Sequence, residues 1–375
     1  MSGATATRDS QKRLRLATAA NRAALVRSLG ILILALVVLS GLLWALGFPA
    51  GLALSALWSG SFGSFYSLSS GTLVRATPLI LTGLSVAVAF RAGVFNIGAE
   101  GQLLAGAATA AAVGLAWGQR LGGFTVVVEL LIGAMSGAAW AGIAAFLRAR
   151  FRVLEVISTI LLNFVALYLV GYLVRGPLQE PTHVYPQSSS LTELARLPRL
   201  FPGSRLHAGF LVAVVAAFGL WWFLRATAAG FRLRVSGANP DAGRVAGEIN
   251  VIRTTTFAFL LSGALAGLAG AIELAGVTFA LYENLSPGYG YTGIAVALLA
   301  RLNPVGVLAT GVLFGALEAG AGAMQRDAGV PSVVVSIAEA VIILGLVVMW
   351  RSPVASSRRA AQSPAGAEEH GEEGV

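Results

Sequence analysis

Two groups of polar residues interrupt otherwise apolar runs in this 375-residue chain, and their chemistry is hydrogen bonding rather than bond breaking. The first lies between Arg91 and Gln102, where Asn96, Glu100 and Gln102 alternate with Gly93, Gly98 and Gly101. Glycines permit a broken helix. Backbone freed by such a break at membrane depth has to be satisfied by protein or by a water-filled cavity, with these three side chains as the available partners. An ordinary cytoplasmic turn with a solvated glutamate is the plainer alternative. The second group is Glu155, Thr159 and Asn163, spaced four residues apart with Ser158 beside them, one polar stripe on an apolar helix. Such a stripe avoids lipid, either by lining a pathway or by bonding a neighbouring helix.

Four aromatic residues, Phe279, Tyr282, Tyr289 and Tyr291, cluster near Pro287 and Gly288. Their rings suit an interfacial belt, and stacking on a flat solute such as a nucleobase is the other reading. Glu273, Glu318 and Glu339 lie inside apolar runs and raise the same question of pathway against packing, while Arg75 can snorkel to an interface. Between Ser236 and Gly247, Asn239 as N-cap, Pro240 at the first helical position and Asp241 in the first turn signal a short helix with a glycine stop.

Enzyme signatures are missing. His183, His207 and His370 have no HExxH spacing, and no GxSxG occurs. His183 and His207 share an expected outer loop, so a pairing for catalysis or for a metal stays open beside the commoner reading of scattered surface histidines. Without cysteine there are no disulfides, thiolate nucleophiles or cysteine metal sites. The single lysine, Lys12, lies in no phosphate-loop motif, so any ATP chemistry belongs to another chain.

The elements that position these residues follow from composition. With 56% hydrophobic and 11% charged residues and a mean hydropathy of +0.78, the chain needs lipid as solvent. The net charge of +9 is carried by arginines that punctuate apolar runs, a pattern that fits membrane topology and not nucleic-acid binding. The expected fold is all-α and polytopic, with about ten transmembrane helices. A basic cytoplasmic arm at 1–28 leads into a transmembrane domain at 29–351, whose first span is 29–47. Residues 49–71 read as an outer connection. Further spans are expected at 72–90, 102–118, 124–147, 153–174, 208–225, 254–276, 289–300, 305–323 and 331–350. The span at 289–300 is short enough to be re-entrant or broken. An outer loop occupies 175–207, a charged inner loop 226–252, and a polar, disordered cytoplasmic tail 352–375. An inside N-terminus places Arg148, Arg150, Arg152, Arg225, Arg232, Arg234, Arg244, Arg253, Arg301 and Arg351 in the cytoplasm, as the positive-inside rule requires, so both termini are expected to be cytoplasmic. Small-xxx-small pairs at Gly133/Gly137, Gly263/Gly267 and Gly311/Gly315 allow close helix packing.

Five blocks then appear in a familiar order: FNIGAEGQ at 95–102, EVISTILLN at 155–163, GANP at 237–240, SGALAGLAG at 262–270 and GYGYTGIAVALLARLNPVG at 288–306. On these the chain resembles permease subunits of ATP-binding cassette importers of the nucleoside and simple-sugar type, related to the ribose and branched-chain amino acid permeases. The resemblance covers residues 72–350. It implies a bacterial inner-membrane location, a second related permease subunit, a cytoplasmic ATPase that binds the ATP and Mg, and an extracytoplasmic binding lipoprotein of the basic membrane protein type. No cofactor is then bound by this chain. It also implies that Gly237, Ala238, Asn239, Pro240, Asp241, Ala242, Gly243, Arg244 and Gly247 form the loop that couples to the ATPase. The family pattern has alanine at Gly243 and a Gly-Ile pair that Glu248 interrupts, two departures bearing on the helicity of that loop. Asn96, Glu100, Gln102, Glu155, Thr159, Asn163, Tyr289 and Tyr291 are the expected pathway residues, for an uncharged polar cargo such as a nucleoside. A simple-sugar importer is the nearest alternative. A proton-coupled secondary transporter using Glu273 or Glu318 is a third reading.

Overall fold

The structure, a computed structural model, describes residues 30, 33, 34, 36–245, 249–331, 333–337, 340 and 341. Residues 43–335 make one compact unit, and the described residues outside them belong to a second. Strands are absent among the described residues. The helices are α1 (Leu36–Ala45), α2 (Ala50–Phe62), α3 (Val74–Arg91), α4 (Ala99–Trp117), α5 (Phe124–Phe151), α6 (Glu155–Arg175), α7 (Gly209–Ala226), α8 (Ala228–Ala238), α9 (Pro240–Val245), α10 (Val251–Glu273), α11 (Tyr289–Leu299) and α12 (Pro304–Ala328). π-helical turns at Ser67–Leu73 and Leu274–Thr278 extend α3 and α10.

Six of these helical stretches are long and apolar enough to cross a bilayer: 67–91, 124–151, 155–175, 209–226, 251–278 and 304–328. Two shorter apolar helices are α1 and α11. Burial sorts them. The most apolar windows of α3 and α10 are 83% and 72% buried, whereas those of α5, α6 and α7 are each 28% buried. The first pair is therefore the core, and the other three turn most of their surface outward, which lipid or another membrane subunit can cover without cost.

Small residues set the distances between core helices. The glycine pairs of α5 and α10 face each other, and a Cβ on Gly137 would stand 2.6 Å from the Gly267 Cα. Gly311 and Gly315 of α12 are fitted against α3 in the same way, at Ile80 and Ala76. Dispersion between closely apposed backbones is the main attraction available where lipid tails are as apolar as the side chains.

Three expectations need correction. Residues 49–71 are helical, as α2 and the first π-turn, because a Gly- and Ser-rich run with regularly placed alanines still satisfies its backbone internally. The 226–252 stretch holds two helices where one was expected. Thr227 caps α8 by accepting from the Gly230 amide at 3.0 Å, and α9 follows. The fourth helix begins at Ala99 and not at 102, so Glu100 and Gln102 belong to its first turn and the break itself is 92–98.

The 176–207 segment is pinned along the end of α10. Ser188 N donates to Leu281 O at 2.7 Å, Leu191 N to Phe279 O at 2.7 Å, and Leu197 N to Ala275 O at 2.8 Å. The Arg196 guanidinium lies over the Phe279 ring at 4.6 Å and donates to Leu191 O.

Candidate functional site

The break between α3 and α4 starts where Gly93 adopts φ +73°, a left-handed conformation that glycine takes without a side-chain clash. Asn96 follows, fully buried. Its amide pairs reciprocally with that of Gln102: Asn96 Nδ2 donates to Gln102 Oε1 at 3.0 Å, and Gln102 Nε2 donates to Asn96 Oδ1 at 3.0 Å. Asn96 Nδ2 also donates to Ser262 Oγ of α10 at 2.8 Å, and Ser262 is bonded to Ser85 of α3. Gly98 N donates to Asn96 Oδ1 at 2.9 Å, which closes the turn.

Helix α6 approaches from the other side. Gly101 N, one of the first-turn amides of α4 with no partner in its own helix, donates to Asn163 Oδ1 at 2.8 Å. Asn163 Nδ2 donates to Ile97 O at 2.9 Å and to the Tyr291 hydroxyl at 3.2 Å. Thr159 Oγ1 accepts from Ile97 N at 3.3 Å. Helix α11 completes the cluster, because Gly290 N in its first turn donates to Glu100 Oε2 at 2.7 Å. A carboxylate at a helix N-terminus meets both an orphan donor and the positive end of the helix dipole. Asn96, Glu100, Gln102, Thr159 and Asn163 are thus brought into one buried node joining α3, α4, α6, α10 and α11. Their hydrogen bonds hold the helix break.

Glu155 and Tyr289 make no side-chain hydrogen bond to this node, and Tyr291 joins it only through its hydroxyl. Glu155 starts α6, with Oε2 3.5 Å from Arg148 Nε, an ion pair that bridges the α5–α6 turn. Tyr289 is 7% exposed and its carbonyl accepts from Thr82. Tyr291 is 43% exposed beyond its contact with Asn163.

The GANP motif touches the same break. Asn239 Oδ1 accepts from Asp241 N at 3.2 Å at the start of α9. Gly237 sits so close to the break that a Cβ there would collide with Arg91 O and stand 2.8 Å from Gly93 N. Arg91 Nε in turn donates to Leu302 O at 2.8 Å, in the turn after α11. Gly237, Ala238, Asn239, Pro240, Asp241 and Gly243 are placed in this corner, and the backbone of Ala242 and Arg244 continues α9. Gly247 and Glu339 lie outside the described residues.

Several residues escaped the sequence reading. Glu129 of α5 is fully buried with neither carboxylate oxygen hydrogen bonded, beside Gly114, and the Thr192 hydroxyl is likewise unpartnered. A lone acid inside an apolar run was its visible signal. His207, favoured from the sequence as a surface histidine, is instead 1% exposed, packed against Gly209 and Gly276 with neither ring nitrogen partnered among the described residues. Burial and the nearby Arg205 push its imidazole down to about 4. His183 is exposed and bonds Gln179, so the two histidines have different surroundings. Among the described residues no three metal-ligating side chains gather.

With fold and site in view, comparison with known proteins gives the family. Residues 68–350 match the family of branched-chain amino acid transport system permease components, and the chain belongs to it. It is 41% identical over 302 residues to the guanosine ABC transporter permease protein NupP of Bacillus subtilis, covering 80% of this chain and 86% of NupP. It is 41% identical over 313 residues to the glucose ABC transporter permease protein TsgB13 of Haloferax volcanii, covering 79% and 81%. It is also 30% identical over 251 residues to a second guanosine permease of Bacillus subtilis, NupQ, covering 65% and 78%. A multi-pass membrane permease subunit is the class these findings define.

Proposed function

We infer that the chain is the membrane-spanning permease subunit of an ATP-binding cassette importer for nucleosides. Similarity to the guanosine permeases NupP and NupQ over most of the chain carries the reading. Two such permeases in one bacterium support a heteromeric pair, in which a second related subunit covers the outward faces of α5, α6 or α7. The ATPase that binds ATP and Mg, the extracytoplasmic lipoprotein, the inner-membrane location, about ten spans and two cytoplasmic termini complete the proposal. The six long apolar stretches, with the shorter apolar helices α1 and α11, α4 and the helical residues at 333–337, 340 and 341, support this reading.

In this mechanism, closure of the ATPase dimer pushes α8 and α9. The push reaches the α3–α4 break through Gly237 and Gly93, and the buried node passes it to α6, α10 and α11. The node residues act as the hinge of the pathway wall, with Tyr291 and the adjoining face of α6 toward the cargo. Glucose import, supported by the equal identity to TsgB13, is the second reading.

Purification from the native host with identification of co-purifying chains, followed by ATP-driven uptake of nucleosides and hexoses in proteoliposomes, tests the proposal. Recovery with a second permease and an ATPase, and binding-protein-dependent nucleoside uptake, is the expected result. Uptake without ATP, driven by a proton gradient, would overturn it.

A further inference from the structure

The node consumes its own polar groups, so recognition of cargo has to come from another surface. Along α6, the turns beyond Asn163 lead through Leu167 and Gly171 to Arg175, and here the structure opens into a groove of about 460 Å³. This volume is within the range of small-molecule sites. Six residues define its chemistry: Tyr168, Gly171, Tyr172 and Arg175 from α6, with Glu283 and Asn284 from the segment before α11.

Each has a feature that packing alone does not require. Tyr168 and Tyr172 are 74% and 68% exposed on adjacent turns of one helix, and both rings line the groove. Glu283 Oε2 accepts from Arg175 Nη2 at 2.9 Å, which fixes the carboxylate in place. Its other oxygen accepts no hydrogen bond from the described residues and rests over Gly171, where a Cβ would stand only 2.9 Å away. A residue larger than glycine would displace that oxygen. Asn284 holds φ +58°, a conformation asparagine tolerates better than most residues, and its exposed amide is free to donate and accept.

We propose that this groove is a nucleoside subsite of the permease itself: a tyrosine ring, Tyr172 foremost, stacks on the base, and the free oxygen of Glu283 accepts from the vicinal hydroxyls of the ribose. The inference rests on the nucleoside reading above and adds where, and by which atoms, the cargo is recognised. A carboxylate oxygen can accept from both hydroxyls of a cis-diol, and an aromatic face accepts any base, so the pairing reads the sugar closely and the base loosely. The aromatic residues singled out from sequence are less available: Phe279 is covered by Arg196 and Tyr289 is buried.

The test uses the complete transporter in proteoliposomes, with saturating binding protein and cargo so that capture no longer discriminates. Maximal uptake of guanosine is compared with that of 2′,3′-dideoxyguanosine. The native transporter favours guanosine, and Glu283→Gln collapses that preference while Arg175 and the fold are kept. Tyr172→Leu lowers uptake of both compounds roughly tenfold, and Tyr172→Phe, which keeps the ring, restores it. Subunit recovery from the membrane shows that each variant assembles. An unchanged preference in Glu283→Gln, or undiminished uptake in Tyr172→Leu, overturns the subsite while leaving the importer in place. Hexose uptake with no nucleoside uptake in the native transporter would instead remove the cargo reading and the subsite with it.

Discussion

Gly237 brings the GANP corner into close backbone contact with the α3–α4 break, and alanine at 237 tests whether force passes through that contact. The new methyl group would meet the Arg91 carbonyl and approach Gly93 N to 2.8 Å. Backbone cannot rotate away as a side chain can, so α8 and the break have to separate. Overpacking of this kind costs about 1–3 kcal/mol. If the cost falls on the state described here and is relieved in the alternate state, the balance between them moves by about 5- to 150-fold. Gly93→Ala should act in the same direction, because φ +73° costs a residue with a Cβ about 1–2 kcal/mol. A control lies six residues away. At Gly243 a Cβ would meet nothing nearer than 3.5 Å, so Gly243→Ala fits and gains up to about 1 kcal/mol of helix propensity. The assay is cargo imported per ATP hydrolysed by the reconstituted complex. Gly237→Ala should retain basal hydrolysis and lose most uptake, and Gly243→Ala should match or exceed the native value. Native turnover and coupling in Gly237→Ala would refute transmission through this contact.

Three further outcomes are expected. Asn163→Leu strips partners from Gly101 N and Ile97 O, and at about 1–3 kcal/mol for each buried unsatisfied group it should lower both the melting temperature and uptake, whereas Asn163→Gln should lose less. Glu129→Leu replaces a buried carboxyl that has no hydrogen bond, so it should raise the melting temperature of the purified complex; a fall would show a partner for that carboxyl in the assembly. His207, held near 4 against an ordinary value of 6.5, binds fewer protons folded than unfolded between those pH values. Stability from this group is therefore full above about pH 6.5 and is lost as pH falls toward 4. Between pH 7 and 5 the loss is about 2 kcal/mol, and His207→Phe should flatten that part of the stability profile.

How much was legible in advance depended on the range of the interaction. Helix existence follows from local apolar runs, and α5, α6, α7, α10 and α12 appear within a few residues of expectation. Residues 50–62 failed that test because glycine and serine lower local hydropathy without preventing a helix. The two polar groups were visible as exceptions to apolar surroundings. Their mutual bonding was not, since it joins Gly101 to Asn163 and Gly290 to Glu100, 62 and 190 positions apart. Spacing could place Glu155, Thr159 and Asn163 on one stripe, but not assign the first to an ion pair with Arg148 and the last to the break. The tyrosines of α6 were hidden for the opposite reason: in an apolar span they look like any lipid-facing ring until Glu283 is seen beside them.

The placement of the break would let a transport subunit with so few charged groups respond as a unit in the proposed mechanism. Helix α11 is held at both ends by the same stretch of chain, through Glu100 on Gly290 N and through Arg91 on Leu302 O. A displacement of residues 91–102 therefore carries α11 with it instead of bending it. Tyr291, on the first turn of that helix, is hydrogen bonded to Asn163, so α6 is drawn into the same movement. Since Gly237 rests on this stretch at its Arg91 end, a push on α8 would arrive beside residues 94–97, which belong to no helix. Buried amide pairs resist separation because each lost bond leaves a donor and an acceptor without water. The node is then stiff in itself, and in the mechanism proposed above it moves as a body and reaches the cargo at the groove proposed at the far end of α6.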